Sequence, residues 1–147
     1  MFVPEENLLG EENRGFYLIM ANFQWERLIM ALGAVASMES VIERVVESDP
    51  GSEWRHLVAE MAVKHEASRS LTYHALRLFA EDGNAVREVT EAKLMSQRAA
   101  FEVAEMAWRA MQGDLEIGRA MRDTRLGPIG GGTDEVMKEI LAKQLGL

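Results

Sequence analysis

Three groups of residues in this chain have types and spacings that could do chemistry. The first is Glu26, set mid-helix among Phe23, Trp25, Leu28 and Ile29. A carboxylate with several apolar neighbours can have a raised pKa and act as a base beside a bound substrate, although the ordinary state of such an acid is solvated or paired. Arg27 points about 100° away around the same helix, so it does not neutralise Glu26 by default. The second group is Gly130-Gly131-Gly132-Thr133, which precedes a helical stretch. Glycines let backbone come close to a ligand, and the free N–H groups of a helix start favour an anion. The same residues also make a tight connection in which Thr133 or Asp134 caps the helix. A nucleotide-binding phosphate loop is not supported, because no strand precedes the run and no Lys follows the Thr. The third group, His56, His65 and His74, lies on one helix, and the matching pair His56 and His74 is about 27 Å apart, too far to share a metal. No Glu-x-x-His pair supports a di-iron centre and no serine has a nucleophile-elbow context, so no metal site and no serine chemistry are expected.

The elements that must position these residues follow from breaker residues and apolar spacing. Prolines occur only at Pro4, Pro50 and Pro128, each among other breakers, so long helices can run between them. From about residue 13 to 47, Phe16, Met20, Phe23, Leu28, Ala31, Val35, Met38, Ile42 and Val45 recur at helical steps. Tyr17, Ile19 and Ile29 make this helix apolar on more than one side, as a central helix would be. Ser48 to Ser52 forms a break in which Ser52 can cap a second helix over about 53–81, with the stripe Leu57, Met61, Ser68, Leu71, Ala75 and Phe79. Asp82-Gly83-Asn84 stops it. A third helix, about 85–112, carries a small-residue seam of Val89, Ala92, Ser96, Ala99, Val103, Met106 and Ala110, with Leu94, Phe101 and Trp108 on its other side. That second seam is covered either by another subunit or by a shorter helix over about 115–125. A last helix is expected over about 134–144, and Phe2-Val3-Pro4 as a short extended lead-in. The pattern predicts an all-α antiparallel bundle of three long and two shorter helices.

With 147 residues, 48% of them apolar and 27% charged, the chain has the size of one domain over 1–147 and is too hydrophobic to be disordered. A net charge of −8 repels phosphate backbones and anionic membrane surfaces, so neither nucleic acid nor a membrane is an expected partner. The absence of cysteine excludes disulfides and thiol catalysis. The acidic opening lacks the basic n-region and apolar core of a signal peptide, and a cytoplasmic location is expected.

Two stretches together carry a resemblance. The opening VPEENLLGEENRGFYLIM with WERL at 25–28, and the close RAMRDTRLGPIGGGTDEVMKEILAKQLGL, resemble the C-terminal domain of acyl-CoA dehydrogenases, as does EVTEAKLMSQRAAFEVAE in the third helix. The resemblance implies FAD-dependent α,β-dehydrogenation of an acyl-CoA thioester: a glutamate takes the pro-R α-proton, the β-hydride goes to FAD, and the product is the trans-2-enoyl-CoA. In many members the base precedes the loop's Gly-Thr, a position that is Gly131 here. A subgroup resembling the long-chain and isovaleryl enzymes carries its base in a Glu-Arg pair on the first long helix instead. Glu26-Arg27 with Gly131 matches that arrangement, which implies Glu26 as catalytic base, Arg27 as a substrate-binding neighbour, and Gly131, Gly132, Thr133 and Glu135 as cofactor-side positions.

The departures from the family pattern are equally specific. The chain starts where the family's C-terminal domain begins, without the N-terminal helical and middle β-domains. It also lacks two internal elements: the Arg-x-x-Phe-Gly-x-Pro after the first helix, where Ser48 to Ser52 stands, and the Gly-Gly-x-Gly-Tyr loop after the third, where Met111 to Glu116 stands. The expectation is therefore a chain that does not bind FAD or catalyse by itself. It is either part of a homo-oligomer or an assembly with a companion subunit supplying the missing domains, or a non-catalytic oligomerising bundle built on the same fold.

Overall fold

The computed structural model describes residues 2–147, and its five α-helices are α1 (Gly15–Glu47), α2 (Arg55–Asp82), α3 (Val86–Ala110), α4 (Leu115–Asp123) and α5 (Asp134–Gln144). Short 3-10 turns stand at Glu5–Asn7, Ser52–Trp54 and Thr124–Leu126. No strand occurs among the described residues, Phe2-Val3-Pro4 included, and the architecture is the all-helical bundle of three long and two shorter helices expected from the apolar spacing.

Two apolar clusters lie along the bundle. In one, Leu28 and Ala31 of α1 meet Ala75 of α2 with Ala85, Val89 and Ala92 at the start of α3. In the other, Val35, Met38 and Val45 of α1 meet Met61 of α2, Ala99, Val103 and Ala107 of α3, and Ile117 of α4. Positions rise together along α1 and α3 and fall along α2, so α2 runs antiparallel to both. The alanines and Ser96 on α3 keep side-chain bulk low, which lets neighbouring backbones approach closely. Between the two clusters sits a polar layer at Lys93, Ser96 and Gln97 of α3, all buried.

Three expectations are corrected. The central helix is α3, not α1: the first turns of α1 project past the core, with Phe16, Tyr17 and Ile19 all exposed, because no other element of the chain reaches them. Ser52 does not cap α2: it opens a 3-10 turn, and α2 starts at Arg55 without a side-chain cap. Finally, α4 stops at Asp123 and passes into the turn at Thr124–Leu126. Those elements lie against two of the three second-seam residues of α3, Phe101 and Trp108, and all three stay partly exposed. The Trp108 ring lies over Gly118, where an added Cβ would come 3.0 Å from Cζ3, and the Arg125 guanidinium sits 5.7 Å from the Phe101 ring centre. Gly83 ends α2 as expected, in the left-handed region at φ 66° with its N–H on the Phe79 carbonyl.

The short connection from α3 to α4 is closed by one residue. Asp114 caps α4, accepting from the N–H groups of Glu116 and Ile117, and takes a bidentate contact from Arg44 of α1, Nε to Oδ1 at 3.0 Å and Nη2 to Oδ2 at 2.8 Å. The Arg44 hydrogen bond, followed by the Ile117 N–H, holds the Asp114 carboxyl below the usual carboxylate range. A lowered folded-state pKa contributes stability above the unfolded value, and that contribution is lost as pH falls through the folded value. Asparagine caps about as well as aspartate but carries no charge. Asp114→Asn is therefore expected to lower the thermal midpoint at neutral pH and to match the wild type at strongly acidic pH, measured by melts across an acid series.

Candidate active site at the glycine loop

The loop before α5 is held in a conformation that only glycine accepts easily. Gly131 has φ 66° and Gly132 φ 108°. Space makes the same demand: an added Cβ would come 2.6 Å from Met30 Sδ at Gly131 and 2.6 Å from Met137 Cε at Gly132. The approach made possible by the glycines is thus to the protein's own methionines on this side of the loop.

Two cations meet the loop from the interior. Arg27 Nε donates to the Gly131 carbonyl at 2.9 Å, and Lys93 Nζ donates to the Gly132 carbonyl at 2.8 Å. Arg27 is buried with its guanidinium 5.2 Å from the Phe23 ring centre, and Lys93 is completely buried. Burial pushes both groups below their usual pKa ranges. For Lys93 the Asp134 charge opposes that shift and Arg27 adds to it; for Arg27 the Glu26 charge opposes it. Asp134, the buried first residue of α5, has Oδ1 3.9 Å from Lys93 Nζ and accepts from Arg98 Nε at Oδ2, at 2.5 Å. Its N–H closes the loop on the Pro128 carbonyl at 3.0 Å. Gln97 joins α3 to α1 through the Met30 carbonyl at 2.6 Å.

This arrangement decides which way the loop presents itself. A trans peptide sets its N–H opposite its C=O. Because the Gly131 and Gly132 carbonyls point in toward Arg27 and Lys93, the N–H groups of Gly132 and Thr133 point out, and neither finds an acceptor among the described residues. Thr133 caps α5, accepting from the Val136 N–H at 3.4 Å. The Glu135 carboxyl is held below its usual range by its own backbone N–H and then by the Thr133 hydroxyl. A carboxylate therefore already stands at the start of α5.

Glu26 lies on the exposed side of α1 and accepts from Asn22 Nδ2 at 2.6 Å. The apolar enclosure suggested by its neighbours in sequence does not form from this chain's side chains, because Arg27 and Leu28 turn inward while Trp25 stacks on Phe79, their ring centres 6.0 Å apart. Arg27 stands against the loop rather than on the open face with Glu26. Spacing does not single out Lys93, Arg98 or Asp134 as site residues, although one signal is present: a lysine on an α3 face that carries Val89, Thr90, Ser96, Gln97 and Ala100 but no other charge. Among the described residues no group of three or more His, Asp or Glu side chains could hold a metal, and no helix is long and apolar enough to cross a membrane.

Comparison with known proteins matches this geometry to a family. A family model for the C-terminal domain of acyl-CoA dehydrogenase matches residues 13–146. An acyl-CoA dehydrogenase of Bacillus subtilis is 32% identical over 97% of this chain and 42% of its own length. The mitochondrial isovaleryl-CoA dehydrogenase of Solanum tuberosum is 30% identical over 98% of this chain and 39% of its own length. Among solved structures, a probable acyl-CoA dehydrogenase from Mycobacterium abscessus superimposes with a TM-score of 0.91 at 32% identity, covering 98% of this chain and 43% of that one. The chain thus spans about two fifths of the length of the relatives it matches. The B. subtilis alignment also runs over 161 positions while covering 97% of the 147 residues here, about 143, so about 18 positions of that relative (161 less 143) have no counterpart within the aligned span. The five helices, the Gly-Gly-Thr loop and the family match agree, and the chain belongs to the acyl-CoA dehydrogenase family, corresponding to its C-terminal helical domain.

Proposed function

We propose that Glu26 is the base of an acyl-CoA dehydrogenase reaction in an assembly whose remaining walls come from outside these 147 residues. The observation that carries this reading is the 2.9 Å bond from Arg27 Nε to the Gly131 carbonyl. It ties the residue beside Glu26 to the loop position where many family members have their base, and where this chain has only hydrogen. In the reaction, a Glu26 carboxylate oxygen accepts the α-proton of the acyl-CoA thioester as the β-hydride leaves and the α,β double bond forms. FAD, when bound, supplies the hydride acceptor.

The residues present fit that cofactor along one edge. The outward N–H groups of Gly132 and Thr133 are suitable donors to it, with Gly131 and Glu135 beside them, whereas the Glu135 carboxylate opposes a pyrophosphate at the start of α5. A ligand left mostly in water loses the burial that sustains affinity. The missing aligned positions and the short α1–α2 and α3–α4 connections favour a second reading, a non-catalytic bundle that keeps the family's packing. Both readings call for partners, since the exposed apolar first turns of α1 are an association surface for another copy or for a companion subunit.

Three outcomes test this. Glu26→Gln in a reconstituted assembly that has activity is expected to lower turnover by about 10²–10⁴-fold, the usual worth of a positioned base, and normal turnover refutes the role. FAD titrated into the pure chain, followed by flavin fluorescence and calorimetry, is expected to show no stoichiometric binding at micromolar concentration; a yellow protein on purification contradicts this. Static light scattering is expected to give a dimer or tetramer, and a monomer at micromolar concentration removes the association surface.

A further inference from the structure

Lys93 is the most constrained charged group in the molecule. Its side chain is completely buried, so its ammonium is out of reach of bulk solvent. Among the described residues its one hydrogen-bond acceptor is the Gly132 carbonyl at 2.8 Å, since Asp134 Oδ1 at 3.9 Å is beyond hydrogen-bond range. If the loop moved away, a buried cation would lose its acceptor, which is among the costlier events in a protein interior. The loop needs the lysine in turn. Three successive glycines have wide backbone freedom and no side chains to pack, so nothing intrinsic selects φ 66° at Gly131 and 108° at Gly132.

We propose that Lys93 is the positioning residue of the glycine loop, aiming the Thr133 N–H outward through the Gly132 carbonyl, while the neighbouring Arg27–Gly131 bond sets the Gly132 N–H and registers the loop against the helix that carries Glu26. The inference rests on the reading of this loop and Glu26 as one site, and extends it to a residue that never meets substrate. Asp134 completes the device: its N–H fixes the loop end on Pro128, and its carboxylate is the counter-charge shared by Lys93 and Arg98. The charges acting on the ammonium are Asp134 from α5 and Arg27 from α1.

The test uses the full chain and nuclear magnetic resonance. In Lys93→Met, amide exchange at Asp134 and Met137, whose N–H groups bond to Pro128 and Thr133, is expected to rise about tenfold or more while α2 amides such as Met61 and Ala75 keep their wild-type rates. The Arg27 Nε–H resonance is expected to shift or broaden in the same variant. Uniform acceleration across the bundle would mean a merely structural lysine, and unchanged loop exchange with an unchanged Arg27 signal would mean no control of the loop; either overturns the proposal. Should Lys93→Met fail to fold, the wild-type protein gives the second measurement. The Gly132 carbonyl and Arg27 Nε–H shifts are expected to titrate together, with one midpoint below the ordinary lysine value, and independent titrations overturn the proposal. Loop exchange reports on Lys93 alone, whereas turnover of Glu26→Gln reports on the base alone, so the two readings can fail separately.

Discussion

A fully buried ammonium in the N-terminal third of α3 is the constraint around which the rest of this structure is arranged. A charge in that position must be met by an acceptor and balanced by an opposite charge, or it neutralises or unfolds its surroundings. Lys93 obtains the first from Gly132 and the second, more distantly, from Asp134. Both partners lie in the chain's last twenty residues, so a requirement created by a central helix is met by the closing loop and α5. The polar layer of Lys93, Ser96 and Gln97 also separates the two apolar clusters, and Gln97 binds the α1 backbone at Met30. Sliding α1 along α3 would break that bond as well as the apolar contacts.

The same constraint explains why the open face of the loop is a face of N–H groups. Carbonyls drawn inward by two cations leave their peptide N–H groups outward, at the start of a helix whose own dipole adds to the positive potential there. Glu135 already answers part of that potential. The loop is thus a prearranged donor surface beside an exposed glutamate, which gives the proposed chemistry a rigid edge rather than a mobile one. Packing separates two neighbours in sequence here: Arg27 turns inward to support the loop while Glu26 stays on the exposed face of α1.

Much of the fold was readable from local rules. Gly83 stopping α2, Thr133 capping α5, and the Val89, Ala92, Ser96, Ala99 and Val103 seam all depend on near neighbours or on helical period. What escaped depends on contacts remote in sequence. Phe16 and Ile19 carry the same periodic signal as buried residues, and only the reach of the other helices leaves them exposed. The proposal for Glu26 rests on its pairing with Arg27 and Gly131 in a recognised pattern, not on its apolar setting, which dissolves once Leu28 turns inward. Lys93 and Asp134 lie 41 positions apart (134 less 93), on different helices, and no spacing rule joins them.

The central claim is that Lys93 and Asp134 act as one buried unit that holds the loop. A double-mutant cycle of Lys93→Met and Asp134→Asn, read by equilibrium unfolding, tests it most directly. Asp134→Asn leaves the buried Lys93 ammonium without its counter-charge and Lys93→Met leaves the buried Asp134 with Arg98 alone, whereas the double change removes both buried charges, so the double variant is predicted to be less destabilised than the sum of the singles by more than about 0.5 kcal/mol. Additive losses within that margin would contradict the account.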